Sequence, residues 1–462
     1  MDRVPPNTVR DDAERLAPEQ LEQIQLKRLR ALLTHVSSTN GFYSRIWRER
    51  GVDVNSIESL EDFSRKVPTV EKSDFIADQE AEPPFGGRLR HLLDEQQQLM
   101  LFTTSGTSGQ GQELHAQTLR ELQGSAEVYA HMLRWAGLKS GDNALLTLPL
   151  TMLGGGRLEY HGAHDYGLTV LPAGNYDAER KLKLIERFRP RALIGTTSYF
   201  WHLAAVSEGE VRDMGVEALF CGGEGASLSW YGRLEEVWNA RVYDRYGSTQ
   251  ARNDHMFTCE QGVGTSERPG MLHNIDTHVL LEVIDPVTGR HVKDGERGEV
   301  VITSLYHLDT PVIRCRMKDL ATYRNGAYCR CGRHFRGIEI GSISRLDDMC
   351  RIKGINVWPQ SIEQILLSSD VVDEYEVVLS TKADGADEAV VRVMPKVALA
   401  GEQSADLALW LADEIRNRIA LRFKIDVVGP GELARSQYKA KRWTDNRIHI
   451  ADFRRRGAAA AS

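Results

Sequence analysis

Between Asn143 and Gly247 the chain alternates short apolar runs with amphipathic ones, and this alternation constrains the fold more than any other feature. "NALLTLPL" and "GLTVLPAG" flank a potential helix. "DAERKLKLIERF" then has a helical period, "RALIGTT" reads as a strand, "SYFWHLAAVS" as a helix, "EALFCGG" as a strand, "SLSWYGRLEEVW" as a helix and "ARVYDRYG" as a strand. Strand–helix units repeated in this way predict an α/β fold, a mostly parallel sheet with helices on both faces. Ligands of such sheets gather at the carboxyl ends of the strands. Two of those ends carry unusual loops, "CGGEGAS" and "YGSTQ".

The flanking regions read differently. Leu21, Ile24, Leu29, Leu32, Leu33 and Val36 recur at three-to-four spacing, an amphipathic helix, and helices joined by loops continue to about Gly87. From about Leu280 the runs "HVLLEVID", "GEVVITSL" and "ATYRNGAYCRC", with turns "PVTG" and "RNG", predict a small twisted or barrel-like sheet. After "SRLDD" come "CRIKGINVWP", a helix "SIEQILLS", strands "EYEVVLS" and "EAVVRVMP", and a helix "DLALWLADEIRNRIAL", a compact α+β unit. A chain of 462 residues calls for more than one core. The expected division is a large N-terminal domain over 1–344, with a β-rich subdomain over about 280–343, and a smaller C-terminal domain over 345–462.

Composition narrows the function classes. Hydrophobic residues at 41% and charged residues at 27% are typical of a soluble globular protein. A net charge of -7 gives no basic footprint, so neither nucleic acid nor an anionic membrane is expected as a partner. No run approaches the roughly 18–20 apolar residues of a membrane span. The segment "MDRVPPNTVRDDAERLAPEQ" lacks the apolar centre of a signal peptide. Six cysteines in so long a chain are no disulfide scaffold, and a reducing cytoplasm is the expected location.

The stretch "TTSGTSGQGQELH", Thr103 to His115, follows the strand-like "QLMLF". Glycine lets a ligand approach the backbone, and amides with hydroxyls donate to phosphate oxygens, so this composition suits a polyphosphate. It equally suits a surface turn, and the G-x-x-x-x-G-K-[ST] order of a Walker loop is absent.

The order of motifs around that loop resembles the adenylate-forming enzymes, and within them the phenylacetate–CoA ligase branch. "TTSGTSGQGQELHAQT" looks like the family's phosphate loop, "CGGEGAS" its G-G-E segment and "YDRYGSTQ" its Y-G-x-T-E motif. "RCRMKDLATY" is similar to the R-x-x-D-L ribose segment, and "SRLDDMCRIKGINVWPQSIEQIL" to the branch's hinge signature. "ARSQYKAKRWTDNR" resembles the C-terminal lysine motif, and "TNGFYSRIWRERGVDVNSIESLEDFSRKVPTVEKSDF" also follows the branch.

The resemblance implies ATP-dependent activation of a carboxylic acid to an acyl-adenylate, followed by transfer to a thiol, with a mobile C-terminal domain serving both steps. Thr103, Thr104, Ser105, Gly106, Thr107, Ser108 and Gly109 would cradle the β- and γ-phosphates. Gly222, Gly223 and Glu224 would line the adenine and acyl pocket, and Tyr246 would stack on the base. Within the Tyr246, Gly247, Ser248, Thr249, Gln250 motif, Thr249 would reach the α-phosphate. Asp319 would accept hydrogen bonds from the ribose hydroxyls, with Arg345 beside them. Asp347 matches the hinge, Lys439 the lysine that bridges acyl carboxylate and α-phosphate, and Lys353 a residue that faces the site in the second half-reaction. A carboxylate usually follows Y-G-x-T and binds Mg²⁺; here Gln250 offers a neutral oxygen only. The lysine usual at the end of the phosphate loop is also absent. A protein that binds nucleotide without turnover is the contrasting reading.

Cys329 and Cys331 in "CRCGR" are able to reach one metal, and Cys259 and His273 lie upstream. The resemblance implies a closed, structural Zn²⁺ site from these four, with Cys315 as a substitute ligand; buried thiols without metal are the alternative. The branch draws its acid pocket from segments similar to "GRLEYHGAHDYG" and "TTSYFWHL". By that resemblance Tyr160, His161, Gly162, Tyr199 and Phe200, with Gly222, suggest an aromatic-lined cavity for an aryl or cyclic acid, with His161 or Glu159 in contact with a ring hydroxyl or amine. The same aromatics serve equally as core. Coenzyme A is the branch's usual thiol; an acyl-carrier protein or an amine would use the same adenylate. A homodimer is the default assembly.

Overall fold

The computed structural model describes residues 11–94, 97–104, 112–207, 210–346, 350–352, 355–382, 387–419, 421–433 and 442–447. The alternating stretch forms the expected sheet. In spatial order its parallel strands are Thr169–Pro172, Asn143–Leu146, Ala192–Gly195, Ala218–Cys221 and Arg241–Ser248. Helices Gly154–Tyr166, Ala178–Phe188, Thr197–Val206 and Leu228–Trp238 make the crossovers. Three of them start where the sequence offers a capping oxygen: Asp177, Thr196 and Ser227 accept from Arg180 N, Tyr199 N and Trp230 N.

Side chains two apart on a strand point to one face, and here each face feeds its own core. Leu145, Leu193, Leu219 and Val242 join one cluster. Ala144, Leu146, Ala192, Ile194, Ala218, Phe220 and Tyr243 join the other. The strands therefore read as continuous apolar runs because both faces are covered.

The β-rich stretch departs from expectation. It is not a separate small sheet. Strand Arg241–Ser248 turns into antiparallel Asn253–Thr258, and the path runs on through Met271–Asn274, Gly337–Glu339, Cys315–Arg324, Arg297–Ser304 and Val279–Ile284. With Ser344–Arg345 paired to Cys315–Arg324 off this path, the strands form one 12-stranded sheet among the described residues. A parallel sheet ending at Arg241–Ser248 would leave a row of unpaired amides and carbonyls, which the antiparallel return satisfies.

Strand Leu99–Thr103 pairs with Leu114–Thr118, from Leu99↔Thr118 to Thr103↔Leu114, so the Gly/Ser/Thr loop is the tip of a hairpin. The second strand, "LHAQT", has too little apolar alternation to be read from sequence. Further on, a four-stranded sheet runs Lys424–Val427, Asp387–Pro395, Val372–Thr381, Trp443–Asp445, with helices Pro359–Leu367 and Gly401–Ile419. Among the described residues no helix is long and apolar enough to cross a membrane.

Candidate active site

Strand Arg241–Ser248 carries the Y-G-S-T-Q segment to the carboxyl edge of the parallel half. A register shift falls between Tyr246 and Gly247, and a side chain at Gly247 would put its Cβ 2.3 Å from the Asn253 carbonyl oxygen. Only glycine lets the returning strand approach so closely. The buried Tyr246 hydroxyl donates to Asp319 Oδ2 at 2.6 Å, and Arg345 NH1 stands 3.1 Å from Asp319 Oδ1. Asp319 and Arg345 face each other in register across paired strands. Residues 246, 319 and 345 therefore meet, with Asp319 presenting a carboxylate between a phenol and a guanidinium. Burial, then the adjacent Asp319 charge, pushes the Tyr246 hydroxyl well above its usual pKa, so it stays a donor.

The hairpin whose tip is the Gly/Ser/Thr loop converges on the same turn. Thr103 N donates to Met152 O at 2.9 Å, and Thr104 N to Glu113 O at 3.1 Å. Gln250 Nε2 donates to Glu113 Oε2 at 2.7 Å, so the loop's base touches the residue after Thr249. Thr249 lies in the tight turn after the strand, where its carbonyl accepts from Arg252 N at 3.1 Å; Ser248 Oγ accepts from Ala251 N. Ser105, Gly106, Thr107, Ser108 and Gly109 lie outside the described residues, as do Asp347, Lys353 and Lys439.

The G-G-E segment follows the neighbouring strand. Gly222 N donates to Gly195 O at 3.1 Å, and Gly223 has φ +77°, a left-handed conformation that favours glycine. Glu224 accepts from Ser198 Oγ at 3.0 Å and from Ser198 N, which seats its charge at the amino end of helix Thr197–Val206.

Two of the residues expected at the acid pocket, Gly162 and Phe200, are packed in the core. A Cβ at Gly162 would lie 2.7 Å from Tyr129 ring atoms, so this glycine permits two helices to close on each other. Phe200 is fully buried, its ring against Trp238. Tyr199 is tied to Lys181, whose Nζ donates to its hydroxyl at 2.8 Å. Tyr160 stacks on His164 one helical turn away and also touches His161, so these rings associate along their own helix.

What the sequence reading missed is a buried charge cluster. Arg245, one strand position before Tyr246, is hydrogen-bonded by NH1 to Asp254 and ion-paired with Glu159, while its NH2 donates to Gly195 O at 3.1 Å. A Cβ at Gly222 would meet Arg245 Cγ at 2.7 Å, which sets the guanidinium beside the G-G-E loop. Burial holds Glu159 above the usual carboxylate range against the pull of Arg245. Among the described residues, Glu159 Oε2 and Arg245 Nε make no hydrogen bond. The available signal was "YDRYG": charges inside a run that otherwise reads as a buried strand.

The cysteine site assembles from three distant segments. Cys259, His273, Cys329 and Cys331 place four donor atoms within 4.8 Å of one another. Cys259 Sγ and Cys329 Sγ are 3.7 Å apart, and Cys331 Sγ is 3.5 Å from His273 Nε2. Tetrahedral zinc with Zn–S of about 2.3 Å needs S···S edges of about 3.8 Å. His273 Nδ1 lies 3.3 Å from the Phe335 carbonyl, which fixes the tautomer with Nε2 as the free lone pair. The four residues fit a zinc ion. Cys315 is elsewhere, on the strand Cys315–Arg324, and is not among them.

Comparison with known proteins agrees with this geometry. Residues 19–306 match the family described as AMP-binding enzyme, and residues 354–447 the AMP-binding enzyme C-terminal domain. The chain is 29% identical to phenylacetate-coenzyme A ligase of Thermus thermophilus over 92% of its length and 96% of the relative. It is 28% identical to the Pseudomonas putida enzyme of the same name, over 95% and 97%. Among solved structures it superposes on 2-hydroxyisobutyryl-CoA ligase with 2-HIB-AMP in the postadenylation state, at TM-score 0.86 and 25% identity, covering 96% of this chain and 93% of that one. Against the same ligase in its thioesterification state the TM-score is 0.68, at 27% identity, with 97% and 94% covered. The family match spans well over half of the sequence and the site carries its motifs: this chain belongs to the AMP-binding, adenylate-forming enzymes.

Proposed function

We propose that the protein is an AMP-forming acid–CoA ligase that acts in two steps. A carboxylate oxygen attacks the α-phosphorus of ATP, pyrophosphate leaves, and an acyl-adenylate forms. The sulfur of coenzyme A then attacks the acyl carbon, AMP leaves, and the thiol proton passes to solvent. The observation that carries this reading is the convergence of Tyr246, Asp319 and Arg345 with the phosphate-loop hairpin at one edge of the sheet. Asp319 would accept from the ribose hydroxyls. Thr249 would donate to the α-phosphate, where charge builds in the transition state. Mg²⁺ supplies charge neutralisation of the triphosphate when bound. Lys439 would bridge carboxylate and α-phosphate in the first step, and Lys353 would face the site in the second, after rotation about Asp347.

The full-length likeness to coenzyme A ligases favours coenzyme A over a carrier protein or an amine as acceptor. For the acid we favour an aromatic or cyclic carboxylate bearing a polar substituent. The buried Arg245–Glu159 pair beside Gly222 has hydrogen-bonding capacity left over, and a ring hydroxyl or amine would use it. Zinc at the four-ligand site would be structural, since every ligand position is taken by protein.

Acid-dependent exchange of labelled pyrophosphate into ATP, run over aromatic, alicyclic and short aliphatic acids, tests the reading. Exchange with a ring-bearing acid is expected. Absence of exchange with every acid would leave a nucleotide binder without turnover. Lys439→Ala is expected to abolish exchange and spare thioester formation from supplied acyl-adenylate.

A further inference from the structure

Gln250 stands where the resemblance leads one to expect a magnesium-binding carboxylate, and the hairpin brings a carboxylate to it. Glu113 closes the base of the phosphate loop: its N donates to Thr104 Oγ1 at 3.0 Å, and its carbonyl accepts from Thr104 N at 3.1 Å. Its side chain is fully buried, and Oε2 receives Gln250 Nε2 at 2.7 Å. Lys72 Nζ is 3.8 Å from Oε2, too far for a hydrogen bond. His115 Nε2 is 3.5 Å from Oε1, and among the described residues Oε1 accepts no hydrogen bond.

This is an unusual setting for a carboxylate. A buried anion ordinarily gathers donors on both oxygens, because each lost its water on folding. Glu113 thus sets a carboxyl group at the base of the phosphate loop, with Oε2 held by Gln250 and Oε1 lacking a hydrogen bond among the described residues. A hard dication on a triphosphate prefers an anionic oxygen to an amide one.

We propose that Glu113 carries the carboxylate charge that position 250 lacks, and that the hydrogen-bonded Glu113–Gln250 pair is the protein's anionic contribution to the Mg²⁺·ATP site. The assignment rests on the reading of this cleft as an ATP site. The charge has moved from the turn after strand Arg241–Ser248 to the hairpin facing it, and the amide of Gln250 holds the carboxylate in place.

Mn²⁺ is the probe, because its free concentration is read by electron paramagnetic resonance without turnover. The full-length protein is saturated with ATP in the absence of acid and titrated with Mn²⁺. Glu113→Gln is expected to weaken Mn²⁺ binding to the protein–ATP complex by about tenfold, as the anionic ligand count falls. Adding Gln250→Glu to that variant is expected to restore affinity to within about threefold of the original. Gln250→Glu alone, which leaves Glu113 intact and covers the case in which Glu113→Gln does not fold, is expected to tighten Mn²⁺ binding. Unchanged affinity in Glu113→Gln, or a double variant that melts like the original yet binds Mn²⁺ as weakly as Glu113→Gln, would overturn the assignment. So would Gln250→Glu with unaltered affinity. Failure of the original protein to bind ATP at all would overturn the ATP reading together with this one.

Discussion

The Tyr246 phenol has one proton to donate, and it goes to Asp319 at 2.6 Å, with Arg345 on the other carboxylate oxygen. A phenol so placed orients the carboxylate that, on the proposed reading, would meet the ribose. A hydrogen bond to a charged group contributes about 1.5 kcal/mol, roughly tenfold in an equilibrium constant. Tyr246→Phe is accordingly expected to raise the KM for ATP by about tenfold in pyrophosphate exchange, with the KM for the acid little altered. An unchanged KM for ATP would remove this hydroxyl from nucleotide binding. The motif register had marked Tyr246, Asp319 and Arg345, but not that the tyrosine reaches Asp319 through its hydroxyl. That contact depends on strands 73 residues apart in the chain lying side by side.

Elements are held by contacts that local patterns mark only in part. Helices Leu119–Trp135 and Gly154–Tyr166 approach so closely that Gly162 faces the Tyr129 ring. A methyl group there overpacks the interface, at a cost of about 1–3 kcal/mol. Gly162→Ala should therefore lower the urea midpoint while leaving the KM for the acid within about twofold, the opposite of a pocket residue's signature. The cluster of Cys259, His273, Cys329 and Cys331 likewise lies between elements. It brings the end of strand Asn253–Thr258 together with Met271–Asn274 and the loop at Cys329–Cys331, so a bound ion would tie the three. About one zinc per chain is expected by elemental analysis, and Cys331→Ser should lose it together with several degrees of melting temperature. A metal-free preparation with the original melting temperature would exclude a structural ion.

Across the whole molecule, the small C-terminal sheet docks through Arg233 on helix Leu228–Trp238. Its guanidinium donates to Val372 O at 2.9 Å, to Leu367 O at 3.1 Å and to Ser369 O. Beside it the Arg442 guanidinium lies 4.3 Å over the Trp230 ring. The arrangement resembles the postadenylation form of 2-hydroxyisobutyryl-CoA ligase more than its thioesterification form, TM-score 0.86 against 0.68. If these bonds belong to the first arrangement only, losing them at about 1–2 kcal/mol disfavours it alone. Arg233→Ala is then expected to slow adenylation roughly five- to thirtyfold without slowing thioester formation from supplied acyl-adenylate. Equal slowing of both half-reactions would show that this contact serves both arrangements.

The parallel half of the sheet, its helix starts and the order of its motifs were determined by sequence alone. They arise from periodicity, capping oxygens and short spacings, all set by neighbours along the chain. "NALL", "ALIG" and "ALFC" are strands buried on both faces, and Asp177, Thr196 and Ser227 cap the helices that follow the turns. Only the tertiary structure decided that Glu113 meets Gln250, that Arg245 pairs with Glu159, and that the antiparallel strands extend the main sheet instead of forming their own. The first two depend on which buried charge finds which partner across more than eighty residues of chain, the third on which strand edge is left to pair; desolvation and packing make these choices once the chain has closed on itself.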